Sequence, residues 1–398
     1  MALKSDRPAL TLVKFVPEGG RTPEPGAPDV AGPEGPPAAG PEDLAAPGEP
    51  DVRVLERSDL TSGALRAEFF ESPDDGGEPR VSRLFLRGGP VEGGLSFARF
   101  PFLEELSVAN TRLGSVDVTR NARLKKLDVS FNNLGRLDLS RNKLLEELSA
   151  HFNRLAELDL AGNAALKNLN LTSNRLAGLD LSRNVRLESV AVGGNRLATL
   201  EAPPSPGLTS LLAAHNRLVE LDVSQSPNLR LLHVVDNCLD ELDLSKNLAL
   251  VELHVQDNRL DALDLARNRA LAVLKARSAG LRTLGLPGGP ALKILDVSEN
   301  KLVEIDVSKN PALAVLMVSK NLLDRLYVAK NPALTELRAS NNSLAEIDVS
   351  HNPELAALDV SRNYLTSLDV SKNPKLRELD ASMNIGAVAV VRPDKPDG

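Results

Sequence analysis

The sequence predicts a β-rich solenoid of about fourteen turns of 21 residues, with two short strands per turn, gentle curvature and a disordered N-terminal tail. Three observations carry this reading. From Leu103 to Leu376 a leucine recurs every 21 residues without exception. A second leucine series, Leu113, Leu134, Leu155 and on to Leu365, starts ten residues into each unit. Asparagine closes each half, at the ninth position in 12 of 14 units and at the nineteenth in 10 of 13. Units are counted here from Leu103, and positions from the first leucine of each unit.

Residues 1–50 come first and differ in composition from the rest. Residues 17–50 hold ten Pro and seven Gly, too little apolar material to offset chain entropy, so a disordered tail is expected, with a tether or an export signal as its functional use. Residues 51–102 read as an N-terminal cap with a degraded first repeat around Val81, Leu84 and Leu86, followed by a crowd of Phe97, Phe100 and Phe102. An atypical terminal unit rich in aromatics suits a cap. The regular array occupies 103–384, and 385–398 supply a last cap strand and tail. Val390 there takes the usual Asp position; its edge is expected to cap the array, or alternatively to pair with a second copy of the chain.

Within each half, apolar residues alternate with polar ones, the period-two pattern of a half-buried strand. Neither half contains the ten or more periodic residues that a helix needs. Stacked strands lie roughly 4.8 Å apart, which makes the array about 65 Å long. The 22 asparagines are structural: a buried amide offers both donors and an acceptor to backbone groups at the bends. In unit 5 the second half reads EAPPSPG, and in unit 9 GLPGGPA. Proline cannot donate to a ladder, so the second wall is expected to be interrupted at both places.

Composition excludes several function classes. Net charge is −7, of which residues 1–50 supply −4, so the body is nearly balanced and lacks the basic block that nucleic-acid binding requires. Aromatic content is 3%, with no Trp, which leaves little material for base stacking. The single cysteine, Cys238, rules out an intrachain disulfide framework and a cysteine-based zinc site. No stretch is long and apolar enough for a membrane span, and the apolar run Ala9–Val16 is short and broken by Lys14, unlike a secretory signal. A cytoplasmic location is the expectation, with export lacking a recognisable signal as the alternative. No nucleophile elbow, phosphate loop or HExxH motif occurs, so neither enzymatic activity nor a cofactor is expected.

LKKLDVSFNNLGRLDLSRN and LAALDVSRNYLTSLDVSKN resemble leucine-rich repeats, specifically the short 21-residue nested bacterial class of internalin-like arrays. The resemblance covers residues 103–384 and implies a protein-binding scaffold whose first strand lies on a concave, ligand-binding side. In some arrays of this type a cysteine occupies the sixth position; here that column runs Val108, Val129, Ala150, Leu171, Val192, Ala213. The export signal and wall anchor of a surface adhesin are also missing from the pattern.

Repeat symmetry separates structural columns from free ones. Position 15 is almost uniformly acidic (Asp117, Asp138, Asp159, Asp180 and onward), with Gly285 and Tyr327 as breaks, and position 18 is rich in Arg and Lys. Basic side chains at 18 are expected to compensate stacked carboxylates at 15; a calcium ladder lacks the glycine-rich nonapeptide it needs. Position 5 instead varies freely, from Ser107 and Asp128 to His233, His254, Lys275 and Met317. This is the expected working face.

His233 and His254 are 21 apart and should be direct neighbours, while His215, Asp236 and Asp257 at position 8 come from the same three units. These five residues, with Lys275, Leu231 and Met317, are the candidate partner-binding site. An apolar stripe of Leu231, Val273, Ile294 and Val315 runs beside Met317. The histidine patch suits a partner contact, a pH-sensitive contact, an adventitious metal site, or simply a solvated polar surface; no dedicated metal site is expected. Phe131 and Phe152 are expected to pack against neighbouring turns. The functional expectation is a non-enzymatic scaffold that binds a protein partner on the variable first-strand face; the alternative is an exported or surface-associated protein with a host or extracellular partner.

Overall fold

The first half of every unit forms a strand, because positions 4 and 6 are apolar and positions 3 and 5 on either side are free to face outward. From Glu105–Ser107 to Glu378–Asp380 the fourteen strands are three residues long, and each pairs in parallel with its counterpart in the next unit. Register follows the repeat: Leu106 faces Leu127, Leu232 faces Leu253, and Leu358 faces Leu379. An antiparallel pair, Ala67–Ser72 with Arg80–Leu86, heads this wall and completes a 16-stranded sheet. The computed structural model describes residues 52–61, 67–72, 80–86, 91, 93–386 and 388–392. The tail expected over 1–50 lies outside the described residues.

Positions 1, 4, 6, 11, 14 and 16 point inward and form one continuous core from Leu55 to Val370. In the last turn Leu376 and Leu379 are only partly buried, since no further unit covers them. At the other end Leu84 pairs opposite Leu106, as a degraded first repeat should. Phe97 and Phe100 are buried, and Phe102 lies between the guanidinium groups of Arg80 and Arg123 at 4.0 and 4.9 Å. Ala389–Val391 adds a parallel strand to Ser367–Asp369, leaving Val391 exposed.

The two asparagine columns behave differently. At position 9, Asn237 donates from Nδ2 to the carbonyls of Ala213 and Val234 (3.0 and 3.1 Å), and its Oδ1 accepts the Leu218 N–H at 3.0 Å. The same pattern recurs along the column, so donors and acceptor are both used. At position 19, Asn247 donates to the carbonyls of Val223 and Ser226, each at 2.9 Å, but its Oδ1 accepts nothing. All ten asparagines of that column leave the buried Oδ1 without a partner. Where serine replaces them, Ser205 and Ser226 donate from Oγ to the carbonyls of Leu187 and Pro203. That column therefore needs only a donor.

Position 8 has a backbone feature that no residue pattern announces. All fourteen residues in the column have φ between 52° and 65°, and only Gly194 is a glycine. The left-handed region costs an L-residue roughly 1–2 kcal/mol. Ladder bonds hold the chain there, for example Asp236 N–H to the Gln256 carbonyl and Asp257 N–H to the Arg277 carbonyl, both 3.0 Å.

On the second wall, strands form in six of thirteen units, and apart from the two end sheets they pair only in twos. At the proline-bearing units the strand itself forms, and each two-stranded sheet ends there. Thr199–Glu201 and Thr283–Gly285 are two of the strands that do form, pairing with Gly178–Asp180 and Ala262–Asp264. The prolines begin only at position 17, past the strand, so no ladder donor is removed.

Compensation of the aspartate column by position 18 is also corrected. Each Oδ1 accepts the backbone N–H two residues on, as in Asp138–Ser140 (2.9 Å), Asp180–Ser182 (2.8 Å) and Asp243–Ser245 (2.8 Å). Among the described residues no Arg or Lys of position 18 forms an ion pair with this column; only His351 approaches, 3.9 Å from Asp348. The backbone N–H of Ser140 is the leading cause that holds the Asp138 carboxyl below its ordinary range, and Arg141 contributes least. These are Asx turns, in which a short carboxylate satisfies its own bend.

Candidate functional site

With position 4 buried, the side chains at positions 3 and 5 share the outer face of the first wall, and in-register pairing sets each beside its equivalent in the next unit. His233 therefore lies directly opposite His254. Their rings stack with centroids 3.9 Å apart and planes 17° from parallel. Glu252, two residues before His254 on the same face, brings Oε1 to 2.8 Å from His254 Nε2 and 3.5 Å from His233 Nε2. Neither Nε2 completes a well-formed hydrogen bond, although the Glu252 carboxylate lies close to both.

Burial dominates the electrostatics of the pair. The His254 side chain is 13% exposed and that of His233 28%. Burial, then the neighbouring His233 charge, push His254 down to about 4 against the opposing pull of Glu252. Burial also lowers His233, with Lys275 adding to it. Both imidazoles are thus neutral near pH 7.

The five residues expected to converge divide into two groups. His215 Nδ1 pairs with Asp236 Oδ2 at 2.9 Å, about two-thirds exposed. Asp257 is exposed, and its side chain joins none of the hydrogen bonds or ion pairs among the described residues. The division follows from the left-handed turn at position 8, which carries these side chains away from the strand face. Lys275 sits next to His254 in the column. Val273, Ile294 and Val315 form a continuous in-register stripe, but Glu252 separates Leu231 from it. Met317 stands between Asp296 and Arg338.

Sequence reasoning missed Glu252, although its spacing from His254 places the two on one face. It also missed a hollow of about 1100 Å³ on the second wall beside Tyr327, Leu322 and Val303, all exposed. A smaller hollow of about 460 Å³ opens on the first wall among Ser107, Asp128, Ser149 and Asn170. Phe131 and Phe152 stack across adjacent turns at 4.7 Å while remaining half exposed.

The functional domain of InlJ from Listeria monocytogenes, which includes a cysteine ladder, matches with a TM-score of 0.67 and 30% identity over 72% of this chain. The match spans 65% of that domain's length. A leucine-rich repeat protein of Leptospira interrogans matches with a TM-score of 0.63 at 21% identity, over 74% of this chain and 84% of its own. The leucine-rich effector protein YopM of Yersinia pestis matches with a TM-score of 0.50 at 26% identity, over 67% and 78%. Neither the family models nor the curated proteins compared with the sequence match it. The solenoid and its neighbours define a leucine-rich repeat protein. Its array is similar to the internalin-like, 21-residue kind, and its sixth column of Val, Ala and Leu is buried from Val108 to Val360. No helix among the described residues is long and apolar enough to cross a membrane.

Proposed function

We propose that this protein is a non-enzymatic interaction scaffold that binds a protein partner on the outer face of its first wall. One observation carries the reading: in fourteen turns with a nearly uniform apolar core, the in-register column at position 5 varies along the array. Positions in one column share one environment, so variation there reflects a demand other than folding. Half-buried Leu231, Lys275 and Met317, together with the His233–His254 pair, supply mixed apolar and charged contacts in one stretch of that face. Likeness to other leucine-rich repeat proteins supports protein binding as the general use of the fold.

The test is affinity capture with three baits: the intact chain, a triple variant Leu231→Asp, Lys275→Glu, Met317→Asp, and a second-wall variant Tyr327→Ala, Leu322→Ser. A prey held by the first and third baits and lost by the second supports the first-wall reading. Loss only with the third places the site on the opposite wall and overturns it. Capture from source-cell lysate and from host or extracellular material distinguishes the cytoplasmic use from the exported one.

A further inference from the structure

We infer that His233, Glu252 and His254 form a three-ligand site for a divalent transition-metal ion of the zinc class, with the fourth position open to solvent. Two imidazoles and one carboxylate are the donor set of open zinc sites. One ligand atom from each lies within 4.8 Å of the other two. Tetrahedral ligands at zinc distances stand ~3.3 Å apart, and the observed 2.8 and 3.5 Å from Glu252 Oε1 to the two Nε2 atoms bracket that value. The rings, now 17° from parallel, must rotate about their side-chain bonds for both Nε2 lone pairs to meet at one ion.

Two further features point the same way. Both Nε2 atoms are buried and without a hydrogen bond, a costly state for a polar atom that a metal bond relieves. The three residues sit on two adjacent in-register strands, which fixes their spacing before any ion arrives. In-register Leu212 closes one flank with an apolar wall. Lys275 closes the other, and its charge opposes a cation. His215 and Asp236 offer only two ligands on an exposed turn and form no part of the site.

The experiment titrates the chelator-stripped full chain with ZnCl2 by calorimetry and with Co2+ by visible absorption. One ion binds per chain, and the Co2+ bands report nitrogen ligation in a low-symmetry site. His233→Ala, Glu252→Gln and His254→Ala each weaken binding by about tenfold or more, whereas His215→Ala leaves it unchanged. Lys275→Ala tightens binding several-fold, a gain that damage to folding cannot mimic. Circular dichroism of the metal-free variants checks that each keeps its fold. Unchanged binding in the His233→Ala/His254→Ala double variant, equal loss with His215→Ala, or no uptake below millimolar Zn2+ overturns the assignment.

Discussion

On the first wall every unit contributes a strand and all fourteen pair in register, while on the second wall six of thirteen units do. Leucine periodicity is equally strict on both sides, so burial alone does not decide whether a ladder forms. On the first wall the chain turns through a left-handed residue at position 8, and Asn at position 9 satisfies the bend with donors and acceptor together. On the second wall an aspartate Oδ1 satisfies the bend two residues on, and Asn at position 19 uses its donors alone. Side-chain caps thus serve both walls, and what separates them is a continuous backbone ladder on the first and short, separate ladders on the second. On the first wall, position 5 also caps its own bend where it holds Asp128, Asn170, Asp296, Asp359 or Asp380, and only the remaining units leave that column free.

The largest contrast should appear in the asparagines. Asn237→Ala leaves the Leu218 N–H and two carbonyls unpaired in the core and is expected to cost about 2–3 kcal/mol. Asn247→Ala strands only carbonyls and removes an already unpartnered oxygen, so about half that loss is expected. Urea midpoints of the two variants, read alongside local hydrogen exchange, give the order. Equal losses would erase the distinction between the columns.

Acid should act on the histidine pair and on the capping aspartates in different ranges. The folded His254 sits near 4 against an ordinary 6.5, so between these values the unfolded chain binds more protons and stability falls as pH drops. The slope is at most about 1.4 kcal/mol per pH unit for one proton. Glu252 on the same strand and the neighbouring His233 and Lys275 are the charged groups that set this window, and His254→Gln should flatten it. The second-wall aspartates Asp138, Asp180, Asp243 and Asp306 have folded values below 3.8. Their contribution is complete above 3.8 and is lost as pH falls through those lower values. A pH series of urea midpoints should therefore show two separate declines.

The smallest effect compares the two turns. Arg362 has φ of 54°, in a column that glycine occupies at Gly194. Arg362→Gly is expected to stabilise the chain by up to about 1 kcal/mol by relieving that conformation. Lys372, at position 18 of the next half-unit, has no positive φ, so Lys372→Gly should destabilise by about 0.5–1 kcal/mol. Thermal midpoints of the pair check the sign, and a gain in both would show that the left-handed turn stores no strain.

The sequence by itself determined the solenoid, the 21-residue period, the parallel register, the inward columns and the structural role of the asparagines. Each of these follows from spacing, and spacing is written in one dimension. It also placed His233 beside His254, since in-register pairing converts an interval of 21 into adjacency. Only the tertiary structure decided what lies between columns. It brought Glu252 against both imidazoles, sent His215, Asp236 and Asp257 to a separate turn, and gave the second-wall aspartates to backbone N–H groups instead of arginines. It also set position 8 in the left-handed region with almost any residue type. A left-handed backbone held by neighbouring ladders leaves no compositional trace, and contacts across columns depend on the direction of side chains, which a repeat pattern does not encode.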